Sequence, residues 1–136
     1  MKEGLQAGAS AVVEDVVTES MFPAFGGKLV HSVYGTAAMV YHMEWAARRV
    51  ILPYLDGDED GVGLGVQVRH MHPAHVGDRL LARAVCTEVT DNGRVVCYVS
   101  VWNNQVLLGE GQVEQRILQN RVLHERFHDL WAGYES

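Results

Sequence analysis

The sequence predicts an α+β fold in which one long, mostly apolar helix packs against a mainly antiparallel sheet of five strands. Three observations carry this. The run from Gly35 to Leu55, GTAAMVYHMEWAARRVILPYL, has almost no polar side chain in its first half, as expected of a buried helix. After Val62 the hydrophobic period changes from helical to alternating. The strand-like segments beyond it are joined by Asp91-Asn92-Gly93 and Asn103-Asn104, and an Asn-Gly pair between alternating runs is a strong hairpin signal.

Taken in order, residues 11–19 (AVVEDVVTE) are β-branched and predict a first strand. Residues 20–34, with Pro23 and the pair Gly26-Gly27, predict a loop crossing to the helix. The helix is expected from about Thr36 to Leu52, stopped by Pro53 and followed by the acidic turn from Asp56 to Gly61. In the next strand Val62, Leu64, Val66 and Val68 share one face, opposite Gly63, Gly65, Gln67 and Arg69. Continuing the alternation delivers His70 and His72 to the apolar side, before Pro73 and the Val76-Gly77-Asp78 turn. Strands at 79–90, 94–102 and 105–118 follow, then a surface helix at 121–132 with Leu123, Phe127, Leu130 and Trp131 on one stripe. A helix this apolar is hard to cover with one sheet, so dimerisation over its remaining face is expected.

At 136 residues the whole chain, 1–136, is expected to be one domain with one core. Eleven Lys and Arg against seventeen Asp and Glu give a net charge of −6 without a basic run, which argues against nucleic-acid binding. The opening MKEGLQAGAS lacks the apolar core of a signal peptide, and no apolar run approaches the roughly 18 residues of a membrane span. These absences predict a cytoplasmic protein. A two-residue hairpin loop at Asn92-Gly93 would pair Asp91 with Arg94 and Glu88 with Cys97, and set Cys86 opposite Val99. The two cysteines would then be diagonal neighbours, and reduced thiols are expected.

The residue that demands explanation is Glu44, because a buried carboxylate is costly unless paired or neutralised. At about 100° per residue, Thr36, Met39, Val40, Met43, Glu44, Ala47, Val50 and Ile51 fall within about 140° of the wheel. A salt bridge from Glu44 to Arg48 would explain the carboxylate structurally, and an N-cap would explain Thr36. A strand histidine such as His70 is often a satisfied core or edge residue. A Glu, a His and a hydroxyl beside one apolar pocket also make an acid–base or nucleophilic set, with the helix N-terminus suited to an oxyanion. Eight residues of helix separate Thr36 from Glu44, roughly 12 Å of rise. They can act together only through His70 and a water, or across two subunits. Two histidine patterns compete. His70-Met-His72-Pro-Ala-His75 has the spacing of a strand zinc site but no acidic or cysteine third ligand nearby. His124-Glu-Arg-Phe-His128 matches HExxH at the C-terminal end, with nothing after it to complete a metal site. His31 and His42 have no Asp at the spacing that hydratases of related architecture need.

The run Thr36-Ala-Ala-Met-Val-Tyr-His-Met-Glu44-Trp-Ala, then Pro53-Tyr54-Leu55, then Gly63-Leu-Gly-Val-Gln-Val-Arg-His70, resembles the hotdog-fold acyl-CoA thioesterases of the fluoroacetyl-CoA thioesterase type. The resemblance runs from about Val33 to Leu118. It implies a hotdog fold, in which the sheet wraps the central helix, and a homodimer with active sites at the subunit interface. It implies Thr36, Glu44 and His70 as the catalytic set, and hydrolysis of an acyl-CoA without cofactor or metal. Substrate contacts are expected at Ala37 and Val30, with Arg69 among the cations for the CoA phosphates beside Arg48, Arg79 and Arg94. In the loop before the helix, Gly27 and Val30 stand where the family carries lid phenylalanines. Thioester hydrolysis is thus implied, and fluoroacetyl selectivity is not. In the expected mechanism His70 is the general base. Thr36 is the nucleophile or orients a water, and Glu44 steadies His70 or attacks the thioester itself. A non-catalytic module that binds an acyl thioester or other small ligand is the alternative.

Overall fold

The computed structural model describes the backbone of residues 1–135 and the side chains of residues 1–129. Its elements are β1 (Ser10–Val16), β2 (Ala24–Phe25), β3 (Lys28–Leu29), α1 (Thr36–Ile51), β4 (Glu59–His70), β5 (Arg79–Val89), β6 (Arg94–Asn103), β7 (Val106–Gln119) and α2 (Asn120–Glu135). Five strands form one antiparallel sheet in the order β1-β5-β6-β7-β4, and β2 pairs with β3 in a separate small hairpin. This is the expected α+β arrangement of a long helix held by a five-stranded sheet. Among the described residues, no helix is long and apolar enough to cross a membrane.

Helix α1 buries Met39, His42, Met43, Ala46, Ala47, Val50 and Ile51 against the sheet. The sheet answers with small or β-branched side chains, among them Val13, Ala82, Ala84, Val99 and Val113. Each large apolar side chain fully buried there stabilises the fold by about 1.5–3 kcal/mol. Close approach is made possible by glycine in β7. A Cβ on Gly109 would collide with the Met39 side chain, and one on Gly111 with the Gln67 backbone carbonyl and the Met43 methyl. The two methionines occupy the space that those glycines leave. Gly111→Ala is therefore expected to destabilise by about 1–3 kcal/mol or more, visible as a lowered Tm. A Tm unchanged from the parent would contradict this packing.

Several details differ from the sequence-based expectations, each for a local reason. β4 carries a bulge between Gly63 and Gly65, which inserts one residue and flips the faces. Val66, Val68 and His70 keep the helix side, whereas Leu64 is 47% exposed and Gly61 and Gly63 face α1 in place of Val62. The strand ends at His70, so His72 does not continue that face and is exposed. Residues 90–93 connect β5 to β6: the Thr90 N–H donates to the Arg94 carbonyl, which leaves a three-residue turn between that pair, and Gly93 sits at φ 82°. A second bulge at Thr87 shifts the register again. Cys86 thus faces Cys97 directly and not Val99. Both thiols are free and buried. Burial pushes the Cys97 thiol up to about 12 and raises Cys86 as well. The crossing segment is not wholly irregular, since it contains the β2–β3 hairpin. In α2, Phe127 is exposed, and the side chains of Leu130 and Trp131 lie outside the described residues.

The buried stripe of α1 is rotated from the one drawn on the wheel. His42 and Ala46 enter it, and Glu44 leaves it and is exposed. The expected buried carboxylate is therefore absent, and the buried polar residue of the helix is His42. On the flank of α1 that the sheet does not cover, Tyr41 and Trp45 are exposed beside Glu44. Strand β4, twelve residues long, is the edge of the sheet on that side. The other edge is the seven-residue β1.

Candidate active site

The start of α1 and the end of β4 meet at an apolar cavity of about 820 Å³. Thr36 sits on its wall as the first helical residue, with Gly35 and not Thr36 at the N-cap. A Cβ at Gly35 would press on the Met21 carbonyl and Pro23, so a larger residue would have to push this close crossing of the loop outward. The Thr36 hydroxyl is thus free of capping duty and lies 2.9 Å from Nδ1 of His70. The other ring nitrogen of His70, Nε2, lies 3.0 Å from the His72 carbonyl oxygen. A carbonyl only accepts, so Nε2 carries the proton and Nδ1 presents its lone pair. The Thr36 hydroxyl therefore donates to His70. This is the arrangement of a hydroxyl with a neutral imidazole base already in place.

The first turn of α1 adds a second element. The N–H groups of Thr36, Ala37 and Ala38 have no intrahelical partner, and all three residues line the cavity. No acidic residue occupies this turn. Such a helix start favours a developing negative charge on a bound carbonyl oxygen. Met21, Phe22, Phe25, Val33 and Tyr41 make the rest of the wall largely apolar.

Glu44 is not brought to this pair within the chain. It lines a neighbouring cavity of about 440 Å³ with Trp45, Arg48 and Gly63, and Ala37 and Tyr41 line both cavities. Arg48 does not pair with Glu44; it reaches Asp60 at 2.8 Å. Among the described residues Glu44 has no hydrogen-bond partner. Of the expected substrate contacts, Ala37 lines the cavity. Val30 is exposed on the strap beyond it, and Arg69 is exposed on the outer face of the sheet, opposite in direction to His70. Arg94 is engaged with Glu88 and Glu114, and Arg79 borders a separate groove beside β1. His72, His75, His124 and His128 are exposed, and among the described residues no cluster of three or more His, Cys, Asp or Glu could hold a metal ion.

Sequence reasoning missed a buried polar chain beside the site. His42 Nδ1 lies 2.6 Å from the Tyr34 hydroxyl, and His42 Nε2 lies 2.8 Å from Oδ2 of Asp15. The hydrogen bond from His42 holds the Asp15 carboxyl below the usual carboxylate range, against the opposing effect of its partial burial. A signal for this was present in β1. Val13 and Asp15 alternate on its inward face, in phase with buried Val17 just beyond the strand, so one carboxylate had to point toward the helix and find a partner there.

The comparisons with known proteins identify the family and the fold. Residues 17–121 match the family described as fluoroacetyl-CoA-specific thioesterase. Among solved structures, the chain is similar to a Thermus thermophilus hypothetical protein of the thioesterase superfamily, with 36% identity over 98% of each chain and a TM-score of 0.92. It is similar in fold to a phenylalanine-to-alanine variant of the fluoroacetyl-CoA-specific thioesterase FlK, at 24% identity, 94% of this chain, 98% of that one and a TM-score of 0.82. A threonine-to-serine variant of FlK in complex with acetyl-CoA matches at 21% identity over 91% of this chain and 97% of that one, with a TM-score of 0.82. No curated protein matches.

Proposed function

The chain belongs to the family of fluoroacetyl-CoA-specific thioesterases, and from that premise we propose that it hydrolyses a small or medium acyl-CoA at a site shared between two subunits. The observation that carries this reading is the 2.9 Å contact between the Thr36 hydroxyl and Nδ1 of His70, at the mouth of an apolar cavity and a helix N-terminus. His70 takes a proton from Thr36 or from a water that Thr36 orients. The oxygen so activated attacks the thioester carbon, and the negative charge that develops on the carbonyl oxygen faces the N–H groups of Thr36, Ala37 and Ala38. Collapse breaks the carbon–sulfur bond, and the imidazolium returns its proton to the CoA sulfur. If Thr36 is the attacking group, a water then cleaves its ester by the same base.

Glu44 completes the set from a second copy of the chain. Three features support this. Glu44 lies away from the Thr36–His70 pair of its own chain, its flank of α1 exposes Tyr41 and Trp45, and β4 is an open edge with unpaired backbone groups. Pairing two copies along that edge covers both. Both ring nitrogens of His70 are already engaged, so a carboxylate arriving there would stabilise the charged form of the imidazole through its field, or attack the thioester directly. The apolar wall favours an acyl chain longer than acetyl, and Gly27 and Val30 supply no aromatic lid.

The test is thiol release from saturated acyl-CoA substrates ranging from acetyl to dodecanoyl, with fluoroacetyl-CoA beside them. Turnover is expected with kcat/KM above about 10⁴ M⁻¹ s⁻¹ for the best substrate, and with a medium chain preferred to acetyl. Saturable binding without any thiol release would replace this reading with the non-catalytic module.

A further inference from the structure

The Asp15–His42–Tyr34 chain has no part in the chemistry set out above, yet, among the described residues, His42 is one of the most deeply buried ionisable side chains that carry a polar contact. Tyr34 and His42 are each 1% exposed. Asp15, whose side chain is 34% exposed, forms the solvent end. The direction of the hydrogen bonds follows from the chemistry. An ionised carboxylate only accepts, so Nε2 of His42 carries the proton and Nδ1 accepts from the Tyr34 hydroxyl. Tyr34 is tied at two points, by its hydroxyl to His42 and by its backbone N–H to the Ala74 carbonyl at 2.9 Å. Its ring stands edge-on to the imidazole of His70, with centroids 6.0 Å apart and planes at 68°. Tyr34 also precedes Thr36 by two residues. One anchored ring thus touches the catalytic imidazole and adjoins the hydroxyl it serves.

Stability alone does not account for such a chain. A Leu at 42 and a Phe at 34 would fill similar space, and replacing both partners of a buried polar pair by apolar groups is often nearly neutral. What the polar chain supplies is a fixed orientation. We propose that Asp15, His42 and Tyr34 are positioning residues that hold the His70 ring in the orientation and tautomer in which Nδ1 faces the Thr36 hydroxyl. This rests on the reading of His70 as the base. The chain works from outside to inside: Asp15 sets the His42 tautomer, His42 holds the Tyr34 hydroxyl, and the Tyr34 ring limits rotation of His70. Besides Tyr34, only the Thr36 hydroxyl and the His72 carbonyl are seen to fix the ring of His70 among the described residues.

The test uses the full chain with the paired replacement Tyr34→Phe/His42→Leu, beside Asp15→Leu and Asp15→Asn. Three quantities are read: Tm, kcat and KM on the best acyl-CoA, and the ring ¹⁵N shifts of His70. The paired variant is expected to keep its Tm within a few degrees and its KM within about twofold, while kcat falls about ten- to a hundredfold. The ¹⁵N shifts should move from one Nε2–H tautomer toward an exchange average. Asp15→Leu should lose kcat in the same way from the solvent end, and this variant carries the test if the buried pair fails to fold. Asp15→Asn, whose amide oxygen still accepts from Nε2–H, should rescue most of the rate. Folded variants with parental kcat and an unchanged His70 tautomer would overturn the proposal, as would a kcat loss that leaves the tautomer untouched. If the parent releases no thiol, the reading of His70 as the base fails by itself, and the ¹⁵N shifts still decide whether the chain positions the ring.

Discussion

His70→Ala is expected to lower kcat/KM for acyl-CoA hydrolysis by about 10²–10⁴-fold, measured by thiol release under saturating and limiting substrate. Among the described residues the imidazole is the one base within hydrogen-bond reach of the Thr36 hydroxyl, and its far nitrogen is occupied by the His72 carbonyl. Without it the hydroxyl has no acceptor, and an unassisted alcohol or water is a poor nucleophile at neutral pH. Thr36→Ala should fall by a similar factor. Residues that act as a unit are not additive, so the double variant should be scarcely slower than either single one. Thr36 is exposed and makes no capping bond, which keeps its replacement from disturbing the fold. Single variants that retain parental kcat/KM would remove both residues from the mechanism.

The second large effect concerns Glu44, and it separates a shared site from one built within a single chain. Thr36→Ala and Glu44→Gln should each be nearly inactive alone. When the two are unfolded together in equal amounts and allowed to reassemble, half the dimers carry one chain of each kind. Each such dimer then has one site with its hydroxyl, imidazole and carboxylate all intact. Activity should return to about a quarter of the parent on the two-fold symmetric arrangement. The same mixture gives no recovery if Glu44 serves the Thr36 of its own chain. Eight residues of α1 lie between them, about 12 Å of rise, and Glu44 opens on a different cavity from His70.

Much of this was legible before the structure, and the exceptions have physical causes. Helix α1 and the hairpin strands were marked by long periodic runs and turn residues, and those signals are local. The Thr36 and His70 positions followed from that periodicity, and the alternation through Val66 and Val68 to His70 holds in the second half of β4. The bulge at Leu64 reverses the first half of β4, and an added residue in a strand leaves no mark in composition. The same holds for Thr87, which brought Cys86 and Cys97 face to face. The wheel located an apolar arc but not which of its borders the sheet would cover. That is why the wheel puts Glu44 on the buried stripe and leaves His42 off it. The partner of His42 comes from β1, 27 residues earlier, a distance over which no local pattern speaks. On the proposed dimer Glu44 acts across the interface, and a single sequence carries no direct sign of what lies across its surface.

The carbonyl that receives Nε2–H of His70 belongs to His72, and the next residue is Pro73. A residue before proline is confined to extended backbone, so that carbonyl has little freedom to swing. The direction of a single peptide group, set by a ring that touches no substrate, thereby helps choose which face of the base meets the hydroxyl. The ordering of that imidazole belongs to folding, completed once, and need not be repeated at each encounter with a thioester.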